Sequence, residues 1–116
     1  MSLEHRTKLF AISVIRLFEN LSQSSALNII GKQLLRCGTS VGAQYREARR
    51  ARSRAEFASK IDSAIQELDE SLYWLELLQE AKLIQGDVLD PLKKEANELT
   101  AMLVASSKTA KRNQES

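Results

Sequence analysis

Apolar residues recur every three or four positions through four long stretches of this chain, and helix breakers hardly interrupt them. Only four glycines and one proline occur among the 116 residues, and strong helix formers fill the intervals between them. Apolar residues at this spacing cover one face of an α-helix, which is stable only when other helices bury that face. The sequence therefore predicts an all-α protein.

The first two predicted helices span about residues 4–21 and 25–51, with a polar turn at residues 22–25. The middle of the second helix, CGTSVGA at residues 37–43, consists almost entirely of small side chains. Two glycines inside a helix cost roughly 1 kcal/mol each relative to alanine, so close approach by a neighbouring backbone is the expected compensation. We predict a tight helix-helix contact at residues 37–43.

A capping box predicts the start of the third helix. Ser53 is followed three residues later by Glu56, directly before an apolar periodic stretch, and this pairing satisfies two free amides at a helix N-terminus. We expect the helix to continue to about Ile84, with Gly86 ending it.

Asp90 and Pro91 supply an N-cap and a first-turn proline for the fourth helix, although Asp87 could start it earlier. Short connections between helices with single apolar stripes near a 3.5-residue repeat favour an antiparallel up-and-down four-helix bundle. We expect residues 1–106 to form one such domain. Residues 107–116 are polar and are predicted to form a frayed C-terminal tail.

Charge is unevenly distributed along the second and third helices. Five of the nine residues from Arg46 to Arg54 are arginines. Residues 31–60 carry eight bases and two acids, net +6, whereas residues 61–80 carry six acids and no base. Such separation creates local fields that the overall charge of +2 conceals. We expect an electrically two-sided molecule.

On a helical wheel, five of these bases lie within about 80° of one another, opposite the apolar stripe. If the second helix persisted to Arg54, they would form a basic stripe about 33 Å long, with Arg49 and Arg52 around its end. Six of the eight bases are arginine, whose planar guanidinium suits phosphate. The candidate nucleic-acid-binding residues are Lys32, Arg36, Arg46, Arg49, Arg50, Arg52 and Arg54.

Two other interpretations of the arginine cluster remain open. Such a face is often simply solvated, and it could also dock on an acidic protein surface, for example the acidic third helix of another copy. Stacking on single-stranded bases is not favoured, because Tyr45 leans toward the predicted core and Phe57 lies beyond the cluster.

The sequence predicts no catalytic residue, metal site or cofactor. His5 is the only histidine and lies near a terminus, and Cys37 lies on an apolar stripe, where a buried structural thiol is expected. Glu67 and Glu70 could pair, but the Glu-x-x-His motif of bundle metal sites is absent. No glycine-rich phosphate loop follows a strand.

A single cysteine excludes an internal disulfide, and the N-terminus lacks a basic-then-apolar leader. No apolar run approaches the roughly 20 residues that a membrane span needs. We therefore expect a cytoplasmic protein without a membrane partner.

Three segments resemble one known family. They are KQLLRCGTSVGAQYREA (residues 32–48), SRAEFASK (53–60) and ELDESLYWLELL (67–78). Over about residues 10–103 the chain resembles the bacterial 23S rRNA intervening-sequence proteins, which are related to accessory variability proteins of retroelements. Gln44 stands where members of that family usually carry asparagine.

The resemblance implies a homopentamer of antiparallel bundles, no enzymatic activity and a role in binding nucleic acid. Some relatives are encoded inside ribosomal RNA insertions, and others assist a retroelement reverse transcriptase. Our first hypothesis is an oligomeric RNA- or DNA-binding protein that contacts the phosphate backbone. The second is a scaffold for a polymerase-type partner, with no binding of nucleic acid alone. The third is an enzyme, which a bound metal or cofactor would reveal.

Overall fold

The computed structural model describes residues 1–19 and 24–115, and in this part of the chain it contains four α-helices. They are α1 (Leu3–Glu19), α2 (Ser25–Arg49), α3 (Arg54–Glu80) and α4 (Asp90–Glu115). Each helix packs against the next, and α1 also contacts α4, in a molecule 51 Å long. The predicted up-and-down four-helix bundle is confirmed. The predicted end of the first helix, near Leu21, and residues 22–23 of the predicted turn lie outside the described residues.

Serine side chains begin α2 and α3. The Ser24 hydroxyl accepts a hydrogen bond from the Leu27 amide at 3.2 Å, and the Ser53 hydroxyl accepts one from the Glu56 amide at 3.0 Å. The Glu56 carboxylate in turn accepts a bond from the Arg52 amide. The serine half of the predicted capping box is present and starts α3, whereas the carboxylate of Glu56 bonds to the amide of Arg52 rather than to that of Ser53.

The third helix ends earlier than the sequence predicts. It stops at Glu80 rather than near Ile84, because Lys82 adopts a left-handed conformation with φ of 57°. The amides of Leu83 and Ile84 then both bond back to the carbonyl of Leu78. This turn buries Ile84 against the core from the connection, so its apolar character reflects tertiary burial rather than helix.

The four apolar stripes meet in one continuous core. The described residues that sequence periodicity placed on these stripes are buried or partly buried, since the interhelical space is the only place where they can leave water together. The largest fully buried side chains are Phe10, Val14, Leu34, Val41, Ile61, Leu68, Leu75, Leu78, Leu89, Leu99 and Leu103.

The small residues of α2 pack closely against α1, as predicted. A Cβ atom placed on Gly38 would lie 3.1 Å from a methyl group of Val14, which is fully buried. A Cβ atom on Gly31 would lie 2.9 Å from the ring of Phe18. The glycines therefore allow α1 and α2 to approach more closely than larger residues at these positions would allow. The packing gained in this way offsets the free-energy cost of glycine inside a helix.

The fourth helix extends beyond the end that the sequence predicts. Instead of stopping near Ser106, it continues to Glu115, with Ser107 and Ala110 buried. Ser107 donates a hydrogen bond of 2.7 Å to one carboxylate oxygen of Asp62, and the ammonium group of Lys111 lies 2.9 Å from the other. These contacts with α3 are nonlocal, so the polar composition of the segment does not reveal them.

Loss of the Asp62 carboxylate should loosen the last turns of α4. The bond from Ser107 and the ion pair with Lys111 hold the pKa of Asp62 below its usual value. A lowered folded-state pKa means that this stabilisation is present above the unfolded value near 4 and disappears as the pH falls through the folded value. For Asp62→Asn we expect amide hydrogen exchange at residues 107–113 to be several-fold faster at pH 7, with residues 96–103 unchanged.

Asp69→Asn is the matched control, because Asp69 is an exposed aspartate on the same helix. Equal exchange at residues 107–113 in Asp62→Asn and Asp69→Asn would show that the Asp62 contacts do not hold this end of α4.

Candidate nucleic-acid interface

The seven bases predicted to bind nucleic acid do not form one continuous stripe. The helix α2 ends at Arg49, Arg50 caps it, and Arg54 is the first residue of α3. The physical reason is the capping box at Ser53, which starts a new helix in the opposite direction. The bases therefore divide into a pair halfway along α2 and a group at one end of the bundle.

Of the pair on the body of α2, Arg36 lies beside acidic residues of α3, whereas Lys32 forms no ion pair among the described residues. Arg36 forms an ion pair with Glu70 and lies 3.6 Å from a carboxylate oxygen of Glu67. The hydrogen bond with Glu70 raises the pKa of Arg36, and partial burial raises the pKa of Glu67. Lys32 is exposed. The opposite charges of α2 and α3 thus compensate one another at Arg36, which reduces the predicted two-sided field there.

Two arginines near the end of α2 share one carboxylate from α1. Arg49 forms an ion pair with Glu4, and Nε of Arg46 lies 3.9 Å from the other oxygen of the same group. Both arginine side chains are about half exposed, at 53% and 49%. One carboxylate cannot neutralise two guanidinium groups, so this contact leaves a net positive charge.

The connection between α2 and α3 carries the least compensated charge. Arg50 and Arg52 are exposed, and neither side chain forms an ion pair within residues 1–19 and 24–115. Arg54 is also exposed, but its guanidinium donates a hydrogen bond of 3.1 Å to the carbonyl of Asn113. This bond holds Arg54 across the gap between α3 and α4.

The structure adds three bases that sequence reasoning missed. Because α3 and α4 are antiparallel, the C-terminal turns of α4 lie beside the first turns of α3. Lys111 pairs with Asp62, while Lys108 and Arg112 are exposed. Three bases within five residues were the available signal, but the segment was assigned to a frayed tail. We define the basic end as Arg46, Arg49, Arg50, Arg52, Arg54, Lys108, Lys111 and Arg112.

The side chains considered for catalysis occupy structural or exposed positions. The thiol of Cys37 is fully buried, accepts a hydrogen bond from Ser71 at 3.2 Å and has a pKa raised by burial. A buried thiol with a raised pKa carries little thiolate and reacts slowly. His5 is exposed at the start of α1. Within the described residues, no group of three potential metal ligands comes together.

No described helix combines the length and the apolar character needed to cross a bilayer. The chain is thus an all-α four-helix-bundle protein with a concentration of bases at one end. A family model for the 23S rRNA-intervening sequence protein matches residues 3–105. The chain belongs to this family.

A solved structure supports the same assignment. It is the crystal structure of a protein of unknown function from the S23 ribosomal protein family of Bacteroides thetaiotaomicron, which is 33% identical to this chain. The two align with a TM-score of 0.86 over 92% of this chain and 99% of the other. No curated protein matches significantly.

Proposed function

We propose that this protein is a non-enzymatic, cytoplasmic nucleic-acid-binding protein that contacts phosphate groups with its basic end. The observation that supports the proposal is the uncompensated charge at the connection between α2 and α3, where Arg50 and Arg52 are exposed without an internal ion pair among the described residues. A guanidinium group without an internal ion pair can form bidentate hydrogen bonds with phosphate, because no existing ion pair has to be broken first.

The same proposal includes assembly into an oligomer, a homopentamer by analogy with the family. Apolar surface remains on α2 and α3 in the single chain: Ile29 is 66% exposed and Tyr73 is 54% exposed. The indole nitrogen of Trp74, next to Tyr73, is buried without a hydrogen-bond partner among the described residues. A second copy could cover the exposed side chains of Ile29 and Tyr73. Several basic ends in one assembly would raise the avidity for a long polyanion without any new contact.

Titration at two salt concentrations tests the proposal. Four bases of the basic end, Arg50, Arg52, Lys108 and Arg112, lack an ion pair among the described side chains. If each neutralises one phosphate, raising the salt from about 50 to 200 mM should weaken binding of RNA or DNA roughly 100-fold per copy. Lack of binding to labelled RNA and DNA at 50 mM, by an assembly of confirmed mass, would contradict the proposal.

A scaffold for a polymerase-type protein, such as a reverse transcriptase, is the second candidate. The exposed apolar residues of α2 and α3 favour it, because they lie on the body of the bundle, away from the basic end. If the protein is such a scaffold, it should bind the purified polymerase stably and should not bind nucleic acid alone. Substitution of Tyr73 by serine should then weaken capture, whereas charge reversal at Arg50 and Arg52 should not.

A further inference from the structure

Two shallow depressions adjoin each other at the basic end, and we refer to them together as the groove. The first lies between the end of α2 and the start of α3 and has a volume of about 530 Å³. The second lies between α3 and the last turns of α4 and has a volume of about 440 Å³. Arg54 and Phe57 line both. Each volume is in the range of small-molecule sites, roughly 300–1,000 Å³.

The groove combines an apolar floor with a cationic rim. Tyr45, Phe57 and the methyl groups of neighbouring alanines line the floor, and Arg49, Arg52 and Arg54 lie around it. Tyr45 packs against the core, as the sequence predicts, and Phe57 lies beyond the cluster in the chain, but both rings also line the depression beside the arginines. The reversal of the chain between α2 and α3 brings both half-buried rings to the arginines.

From this juxtaposition we infer that the groove binds an unstacked base of a single-stranded nucleic acid, with the flanking phosphates on the arginines. The cationic rim favours an anionic ligand, and the aromatic floor favours a flat group that can stack on it. A single strand offers both at once, because every base has a π-face and each linkage carries a phosphate. In a duplex the base faces are stacked on one another, so only the phosphates remain available.

This inference rests on the proposed function and narrows it to single strands. It predicts that the basic end alone accounts for duplex binding, while the aromatic floor adds affinity for single strands. Stacking of one base on an aromatic side chain contributes roughly 1–3 kcal/mol, which corresponds to about 5- to 150-fold in affinity.

The first test uses the unmodified protein and three labelled probes with equal numbers of phosphates. They are a single-stranded oligonucleotide, the same strand made abasic throughout, and a blunt duplex. At about 100 mM salt we expect the abasic strand to bind at least fivefold more weakly than the normal strand. Equal affinities for the normal and abasic strands would overturn the inference while leaving the proposed function intact. Lack of binding by all three would overturn both.

The second test substitutes the aromatic floor. Phe57→Leu keeps most of the packing volume but removes the aromatic face, and we expect it to weaken single-strand binding at least fivefold without changing duplex affinity. Phe18→Leu is the matched control, because Phe18 is a half-buried phenylalanine that packs on Gly31, away from the basic end. Equal losses in the two variants, or an equal loss for duplex and single strand in Phe57→Leu, would overturn the inference.

Discussion

The double variant Arg50→Glu, Arg52→Glu should bind RNA and DNA at least 100-fold more weakly than the unmodified protein at about 50 mM salt. Each phosphate contact that is lost removes the release of roughly one counterion, which at this salt concentration is worth about tenfold in affinity. Two reversed charges also add repulsion. Neither side chain forms an internal ion pair among the described residues, so the bundle should remain folded. Circular dichroism and the mass of the assembly check this point.

The matched control is Lys82→Glu, Lys94→Glu. These exposed lysines lie beyond α3 and in the first turns of α4, at the end of the bundle opposite the basic end. The two double variants change the net charge equally, so a comparison separates the position of charge from its amount. A similar loss of affinity in both would mean that the protein binds through its overall charge, and the proposed basic end would then be wrong.

Substitution of Gly38 by leucine should destabilise the bundle by about 3 kcal/mol. Even the first side-chain atom at this position would lie 3.1 Å from a methyl group of Val14, which is fully buried and cannot turn toward solvent. Overpacking of a filled core costs typically 1–3 kcal/mol, and a whole leucine side chain lies at or above the upper end of that range. The better helix propensity of leucine offsets less than about 1 kcal/mol of this cost. Urea denaturation measures the difference.

Gly42→Ala is the appropriate comparison. A Cβ atom at Gly42 would lie 3.4 Å from the hydroxyl of Thr7, which is an ordinary contact. Alanine also favours the helix, so we expect the free energy of unfolding to stay equal or to rise by up to about 1 kcal/mol. Equal stability of Gly38→Leu and the unmodified protein would show that α1 and α2 separate easily, and that the small residues do not determine their spacing.

Local signals predicted the fold of this protein well where the physical cause was itself local. The predicted N-cap at Ser53 required only a neighbour within one turn, and its hydrogen bond with the Glu56 amide is present in the structure. The small residues 37–43 predicted a close helix-helix contact, because the free-energy cost of glycines inside a helix has to be offset by packing. The ends of α3 and α4 were predicted less well, because the core buries Ile84 from the connection after α3, and Ser107 bonds to Asp62 of another helix.

The candidate site could be predicted only in part. The arginines were identified from their number and spacing, but a helical wheel cannot show which charges meet a partner on another helix. Arg36 is compensated by Glu70, and Arg49 by Glu4, from 34 and 45 residues away in the sequence. The bases of α4 were missed because the last turns of this helix have a polar composition, which predicts a frayed tail. Their contacts with α3 cannot be read from that composition.

By itself, the sequence determined that the chain forms four amphipathic helices, that residues 37–43 make a tight contact with another helix, and that arginines are concentrated between residues 46 and 54. These properties follow from side-chain periodicity, size and charge, which are local. Only the tertiary structure decided which arginines meet an acidic partner, that Tyr45 and Phe57 line one groove, and that α4 adds its bases to the same end. The physical reason is that hydrogen bonds and ion pairs between helices depend on distances in space, which the order of residues does not specify.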